Sequence, residues 1–187
     1  MAGLTVAVGT SWEVERLPLN VRPEESTGVM GGEGYELSLL LGYRIDQLTL
    51  SLRPGYIRQS TSSFRHFDND GGVRFKEKVF PDAFLLPVRA TLNFGKQRLQ
   101  PSVGLGGGFL IRVGKMESSL APVPEQVLPY LEVVVGVEVE LKSLKFRPEF
   151  TVRNGTGELF SPGKSDINRD FGGQRWAYAA LGIVVTN

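Results

Sequence analysis

Along residues 127–154 the side chains change character at every second position. Val127, Pro129, Leu131, Val133, Val135, Val137, Val139 and Leu141 fall on one phase, and Glu132, Gly136, Glu138, Glu140 and Lys142 on the other. That is the period of a β-strand with one oily face. After a tight turn at Lys142 and Ser143 the pattern resumes: Leu144, Phe146, Pro148, Phe150 and Val152 alternate with Lys145, Arg147, Glu149, Thr151 and Arg153. The polar phase of the first strand is mainly acidic and that of the second mainly basic, so antiparallel pairing can match charge across the hairpin. Both runs exceed the roughly five or six residues of an ordinary strand. They reach the roughly 9–11 residues that cross a bilayer at a tilt. The expected arrangement is an oily face toward lipid and a charged face lining a narrow barrel.

The same reading carries over the rest of the chain. A first strand covers residues 4–14, and a Pro- and Gly-rich segment, about 15–33, reads as a loop. Strands follow at about 34–45 and 48–56, joined by a turn at Asp46 and Gln47, and then a polar loop at about 59–82. Strands at 83–94 and 99–112 flank an FGKQR turn, a loop spans about 114–125, and after the hairpin a loop at about 155–173 leads to a last strand, 174–186. That last strand is apolar on both phases. The expected lipid-facing set is Leu37, Leu39, Leu41, Leu48, Leu50, Leu52, Leu86, Val88, Leu92, Val103, Leu105, Phe109, Val133, Val135, Val137, Val139, Phe146 and Phe150. The expected lumen charges are Glu13, Glu36, Arg44, Arg53, Arg89, Arg112, Glu132, Glu138, Glu140, Arg147, Glu149 and Arg153. Because buried charge is costly unless paired, these are expected to form a network of both signs that plugs the tube.

Connection length sharpens the topology. Long connections follow strands one, three, five and seven, and short ones follow two, four and six, which is the alternation of outer-membrane barrels with short periplasmic turns and long extracellular loops. A Greek-key sandwich gives no reason for it. Tyr35 and Tyr43 share a face, as do Phe84 and Phe94; at about 3.3 Å rise and a tilt near 40° their separations are roughly 20 to 25 Å along the normal, the height of an apolar band with aromatic girdles. Trp12, Tyr35, Tyr43, Tyr56, Phe84, Phe94, Trp176 and Tyr178 are the girdle candidates. Pro54, Pro87 and Pro148 fall inside strands that have no free edge, and bulges are expected there.

Bulk properties narrow the class. A chain of 187 residues is expected to form one domain. With 21 Lys and Arg against 20 Asp and Glu, no basic excess points to nucleic acid. There is no cysteine, hence no disulfide framework. No window approaches the roughly 18 apolar residues of a spanning helix, whereas the mean hydropathy of −0.07 is compatible with alternating strands. The start MAGLTVAVG lacks the basic and apolar regions of a signal peptide. An exported chain would therefore be a mature form with an added Met1.

LSLRPGYIRQSTSS (residues 50–63), FLLPVRATLNF (84–94), LQPSVGLGGGFLIRV (99–113) and FRPEFTVRNGTGELF (146–160), in that order, resemble the successive hairpins of the PorT-like outer-membrane β-barrel family common in Bacteroidetes, with the eight-stranded architecture of the OmpX and OmpA type. The resemblance runs from about residue 3 to the C-terminus. It implies an integral, non-enzymatic barrel of the Gram-negative outer membrane; the name-giving member is similar in belonging to a secretion apparatus. Such barrels commonly end on an aromatic residue, whereas this chain ends Val184, Val185, Thr186, Asn187.

Candidate chemistry is sparse. His66 with Ser62 or Ser63 and Asp68 or Asp70 has the residue types of a surface hydrolase, yet linear order does not supply the geometry. A polar loop accounts for the cluster at less cost. Asp68, Asn69, Asp70 and Gly71 lack the distal glutamate of a calcium loop. Gly104, Gly106, Gly107 and Gly108 lack the lysine and Ser/Thr of a phosphate loop and suit close interior packing. No cofactor, metal or catalytic residue is expected. The reading is all-β: an eight-stranded antiparallel up-and-down transmembrane barrel of the bacterial outer membrane, contacting outer-membrane lipid. It would act through its extracellular loops in adhesion, partner binding or an envelope or secretion-associated scaffold, with an extracellular or envelope protein as partner. The alternatives are a soluble lipocalin-like carrier of an apolar ligand, which requires the opposite polarity, and an outer-membrane enzyme using loop residues near His66.

Overall fold

The computed structural model describes residues 1–14, 28–30, 32–59, 62–66, 73–77, 82–95, 98–114, 123–141, 143–160 and 174–187. Its elements are β1 (Ala2–Val14), β2 (Gly28–Met30), β3 (Gly32–Ile45), β4 (Leu48–Leu52), β5 (Gly55–Gln59), β6 (Ser62–His66), β7 (Val73–Glu77), β8 (Ala83–Asn93), β9 (Leu99–Arg112), β10 (Val127–Leu141), β11 (Leu144–Gly155) and β12 (Arg175–Thr186). The described residues contain no helix. β4 and β5 are two halves of one barrel strand, since both pair with β3 on one side and β8 on the other. Eight strands therefore close into a ring, each antiparallel to the next, with β1 joining β12 and β3.

The register fixes the shape. Following direct partners from Ala2 to Leu41, Leu52, Val88, Gly107, Leu131, Asn154 and Ala177, the path returns to β1 at Trp12, ten residues from its start. With about 3.3 Å rise and about 4.8 Å between strands, that stagger tilts the strands by about 40° and gives a backbone radius of about 8 Å. Such a tube is filled by side chains.

The strand ends that bound the short connections, Ile45 and Leu48, Asn93 and Leu99, Leu141 and Leu144, lie at one end together with both termini, where the Met1 ammonium donates to the Gly42 carbonyl at 3.0 Å. Left-handed backbone at Asp46 (φ 52°) and Gly95 (φ 90°) makes two of these turns tight. At the other end, two connections expected to be plain loops carry short strands: β2, β6 and β7 form a separate three-stranded antiparallel sheet.

The expected bulges are absent. Leu41 faces Leu52 and Ser38 faces Gly55, so the β3 register runs through Pro54 without a slip, and the β8–β9 and β11–β12 ladders pass Pro87 and Pro148 equally unbroken. The carbonyls of Pro54 and Pro87 still accept from the N–H groups of Leu39 (2.9 Å) and Arg53 (3.0 Å). At those two prolines the ladder forfeits a donor and keeps its acceptor, which is cheaper than shifting the register.

Polarity is inverted relative to a water-soluble barrel. Leu37, Leu39, Leu41, Leu48, Leu50, Leu52, Leu86, Val88, Leu92, Val103, Leu105, Phe109, Val133, Val135, Val137 and Phe150 are all exposed on the outer face. Val139 and Phe146 face each other across the hairpin and are half-buried. Tyr35, Tyr43, Phe84 and Phe94 are also outside, and Tyr56 packs edge-on against Phe84 at 5.5 Å.

Trp176 and Tyr178, expected in the outer girdle, are a correction: both point inward and are 1% and 0% exposed. Space decides it. A Cβ on Gly9 would lie 2.6 Å from the Tyr178 ring, so this glycine of the flanking wall clears room that the ring occupies, and the backbone at Gly34 lines the same space, where a Cβ would meet the ring at an ordinary 3.5 Å. The side chain of Trp12 lies outside the described residues.

Candidate functional site

The lumen is built in layers. At the long-connection end, inward positions of β5, β8, β9, β10 and β12 are apolar: Ile57, Ala83, Leu85, Leu110, Leu128, Tyr130, Trp176 and Tyr178 form one buried cluster. The segment after β11 folds over this mouth and adds Leu159 and Phe160, held by Leu159 N–H to the Gln174 carbonyl (2.7 Å) and Glu125 N–H to the Leu159 carbonyl (2.8 Å). Trp176 stacks on Tyr178 with centroids 5.8 Å apart and planes 9° apart, and its indole N–H donates to Ser11 Oγ at 3.3 Å.

Below the cluster lies the charge network. Arg153 sits 5.8 Å from the Tyr130 ring centroid and 5.4 Å from that of Tyr178, a cation over two π faces. Its guanidinium donates to both oxygens of Glu36 (2.6 and 3.0 Å) and to Glu132 Oε2 (3.0 Å). The other oxygen of Glu132 accepts from Arg89 Nε at 2.8 Å, and Arg89 Nη1 reaches on to Glu149 at 3.1 Å. Glu149 also takes a two-pronged contact from Arg53 and lies 3.3 Å from Arg147 Nε. Fork-to-carboxylate pairing of this kind is the geometry that offsets desolvation. Small inward residues make way for these long arms: a Cβ on Gly106 would sit 2.9 Å from Glu132 Oε1, and one on Gly136 3.3 Å from Arg147 Cγ.

Nearest the short turns, Glu138 accepts from Arg44 at 2.7 Å and lies 3.5 Å from Lys145, while Arg44 also donates to Gln100 at 3.0 Å. Beyond them opens a polar vestibule of about 650 Å³ lined by Arg44, Asp46, Gln47, Gly95 and Gln100. The tube is thus shut by an apolar stopper at one end and is polar toward the other.

The expected lumen set divides accordingly. The structure joins Glu36, Arg53, Arg89, Glu132, Arg147, Glu149 and Arg153 into one buried cluster, with Arg44 and Glu138 as a second pair. Glu140 is a correction: it shares the inward phase but stands exposed, because β10 ends one residue later and no wall encloses it. Arg112 is half-buried at the apolar end, with no hydrogen-bond partner for Nε or Nη1 among the described residues. The side chain of Glu13 lies outside the described residues. So do the side chains of His66, Ser62 and Ser63, and so do Asp68, Asn69, Asp70 and Gly71 entirely. Lys145 and the apolar stopper were missed by the sequence reading. Leu128 and Tyr130, on the phase of Glu132, were the available signal that the lumen changes character along its length.

The described residues hold no cluster of metal-binding side chains. The polarity is the reverse of what a lipocalin-like carrier requires.

No family profile and no curated protein matches the chain, so the PorT-like resemblance rests on the strand motifs alone. Among solved structures the chain is similar over its full length to the crystal structure of Neisserial surface protein A (NspA), at 13% identity and a TM-score of 0.56, with 97% of that chain covered. The fold is that of the outer-membrane type of closed, eight-stranded antiparallel barrel.

Proposed function

We propose that the protein resides in the bacterial outer membrane as a non-enzymatic, closed barrel and works through its long-connection end, in adhesion, partner binding or an envelope scaffold. The observation that carries this reading is the joint one of an apolar outer face and a charged interior in which the buried guanidiniums among the described residues, Arg53, Arg89, Arg147 and Arg153, each pair with a carboxylate. In water that outer face would be an aggregation surface far beyond the few hundred Å² a soluble monomer tolerates. In lipid it is the low-energy surface. Because the lumen is filled, recognition falls to the loop end, and the NspA-like fold of a surface protein agrees with that orientation. The strand motifs that resemble the PorT-like family favour an envelope or secretion-associated partner over a small ligand.

The test has two parts. Epitope tags placed in residues 115–122 and 161–173 are expected to be antibody-accessible on intact cells, and the extracted protein is expected to need detergent and to migrate anomalously on a gel until heated. Recovery from the soluble fraction, or tags reachable only after lysis, would overturn the assignment.

A further inference from the structure

Among the described residues, ion pairs of the charge network join six cations, Arg44, Arg53, Arg89, Lys145, Arg147 and Arg153, to four carboxylates, Glu36, Glu132, Glu138 and Glu149. Glu13, whose side chain lies outside the described residues, supplies at most one more negative charge. The surplus is concentrated around Glu149, a single carboxylate contacted by three guanidiniums, Arg53, Arg89 and Arg147. Each of the three is at most 4% exposed. Each also retains an N–H without a hydrogen-bond partner among the described residues: Arg53 Nε, Arg89 Nη2 and Arg147 Nε, the last lying near Glu149 but outside hydrogen-bond geometry. Unneutralised charge in a tube surrounded by hydrocarbon is costly, and a buried charged donor left unsatisfied adds to the cost.

We propose that the lumen binds one small monovalent anion of halide size on the Arg53, Arg89 and Arg147 cluster, admitted from the short-turn end. The size follows from the packing: the three guanidiniums already crowd onto one carboxylate, and an eight-stranded interior filled by side chains would not take an organic acid beside them. The route follows from the layers. The vestibule at the short-turn end is polar and has Arg44 at its inner rim. The other mouth is stopped by Leu159, Phe160 and Trp176. The site is therefore a dead end that binds without conducting. The inference stands on the charge cluster and is independent of any partner at the loops.

The full chain, folded in detergent, tests it. Crystals grown with bromide in place of chloride are expected to show an anomalous peak in contact with the three arginines. Thermal unfolding is expected to shift upward, saturably, with sodium chloride relative to sodium gluconate at equal ionic strength, and Arg147→Met is expected to lose that shift. A lumen with only waters on the three N–H groups overturns the proposal, as do coincident unfolding curves in the two salts. A chloride shift that survives in Arg147→Met overturns the assignment to this cluster. Should that variant fail to fold, the bromide map and the two-salt comparison on the unmodified protein still decide the matter.

Discussion

Replacing Val135 by arginine separates a lipid-facing wall from a water-facing one. Val135 is 49% exposed and lies at the middle of β10, with Val103 and Phe150 directly beside it on the neighbouring strands, all on the outer face. At the midplane of a bilayer an arginine on the outside of a barrel costs about 2–4 kcal/mol, falling to about 0–1 near the interface. The rim control is Leu141→Arg, at the last residue of β10 and 57% exposed. The difference between the two variants is therefore expected to be about 2–3 kcal/mol, roughly a hundredfold in the folded-to-unfolded ratio. An exposed position in water would tolerate either change within about 0.5 kcal/mol. Reversible urea unfolding in phospholipid vesicles, followed by tryptophan fluorescence, measures both. If Val135→Arg proves no costlier than Leu141→Arg, the outer face does not meet hydrocarbon and the membrane reasoning fails.

Three further outcomes follow from the interior. Glu149→Ala strands three buried guanidiniums and is expected to cost about 3–5 kcal/mol in the same assay, whereas Glu140→Ala, exposed at the rim, should stay within about 0.5 kcal/mol; similar losses would contradict the division of the lumen. Gly108→Val should abolish the heat-modifiable folded band, because even its Cβ would stand 2.3 Å from the Leu86 carbonyl oxygen and 2.7 Å from Pro87 Cα, both backbone; Gly157→Ala, with nothing nearer than 3.6 Å, should fold normally. Phe160→Ala removes a fully buried ring from the stopper and is expected to cost about 3–5 kcal/mol, with a red shift of Trp176 emission in a Trp12→Phe background as water enters the mouth.

Strand existence, facing and topology were legible wherever one phase was apolar and the other charged, as in β3, β10 and β11, because period-two alternation has a single low-energy placement in a closed sheet. Legibility failed where that contrast was missing. β12 is apolar on both phases, and its facing is settled by a partner distant in sequence: Gly9 leaves room that Tyr178 takes up. Glu140 carries the right phase but sits where the wall ends, which depends on the position of the turn and not on periodicity. Leu159 and Phe160 belong to no alternating run, so their burial in the mouth follows only from the way the chain after β11 folds back.

The ion-paired interior calls for an explanation other than stability, since buried salt bridges are often no better than well-packed apolar side chains of equal volume. The chain's own polarity provides one. If the inward positions of β10 were leucine, its 15 residues would be apolar throughout, close to the roughly 18 that partition into a bilayer as a helix. Glu132, Glu138 and Glu140 on β10, and Arg147, Glu149 and Arg153 on β11, interrupt such a run, and over the whole chain the mean hydropathy is −0.07. Those same charges meet partners only when the strands stand side by side, since Glu36, Arg53, Arg89, Glu132, Glu149 and Arg153 are drawn from distant parts of the chain. The arms of Arg53, Arg89, Arg147 and Arg153 fill the middle of the tube, and Leu159, Phe160 and Trp176 stop its long-connection end. Under the proposed placement in the outer membrane, a lumen stopped in this way leaves the loop end as the surface on which recognition would act.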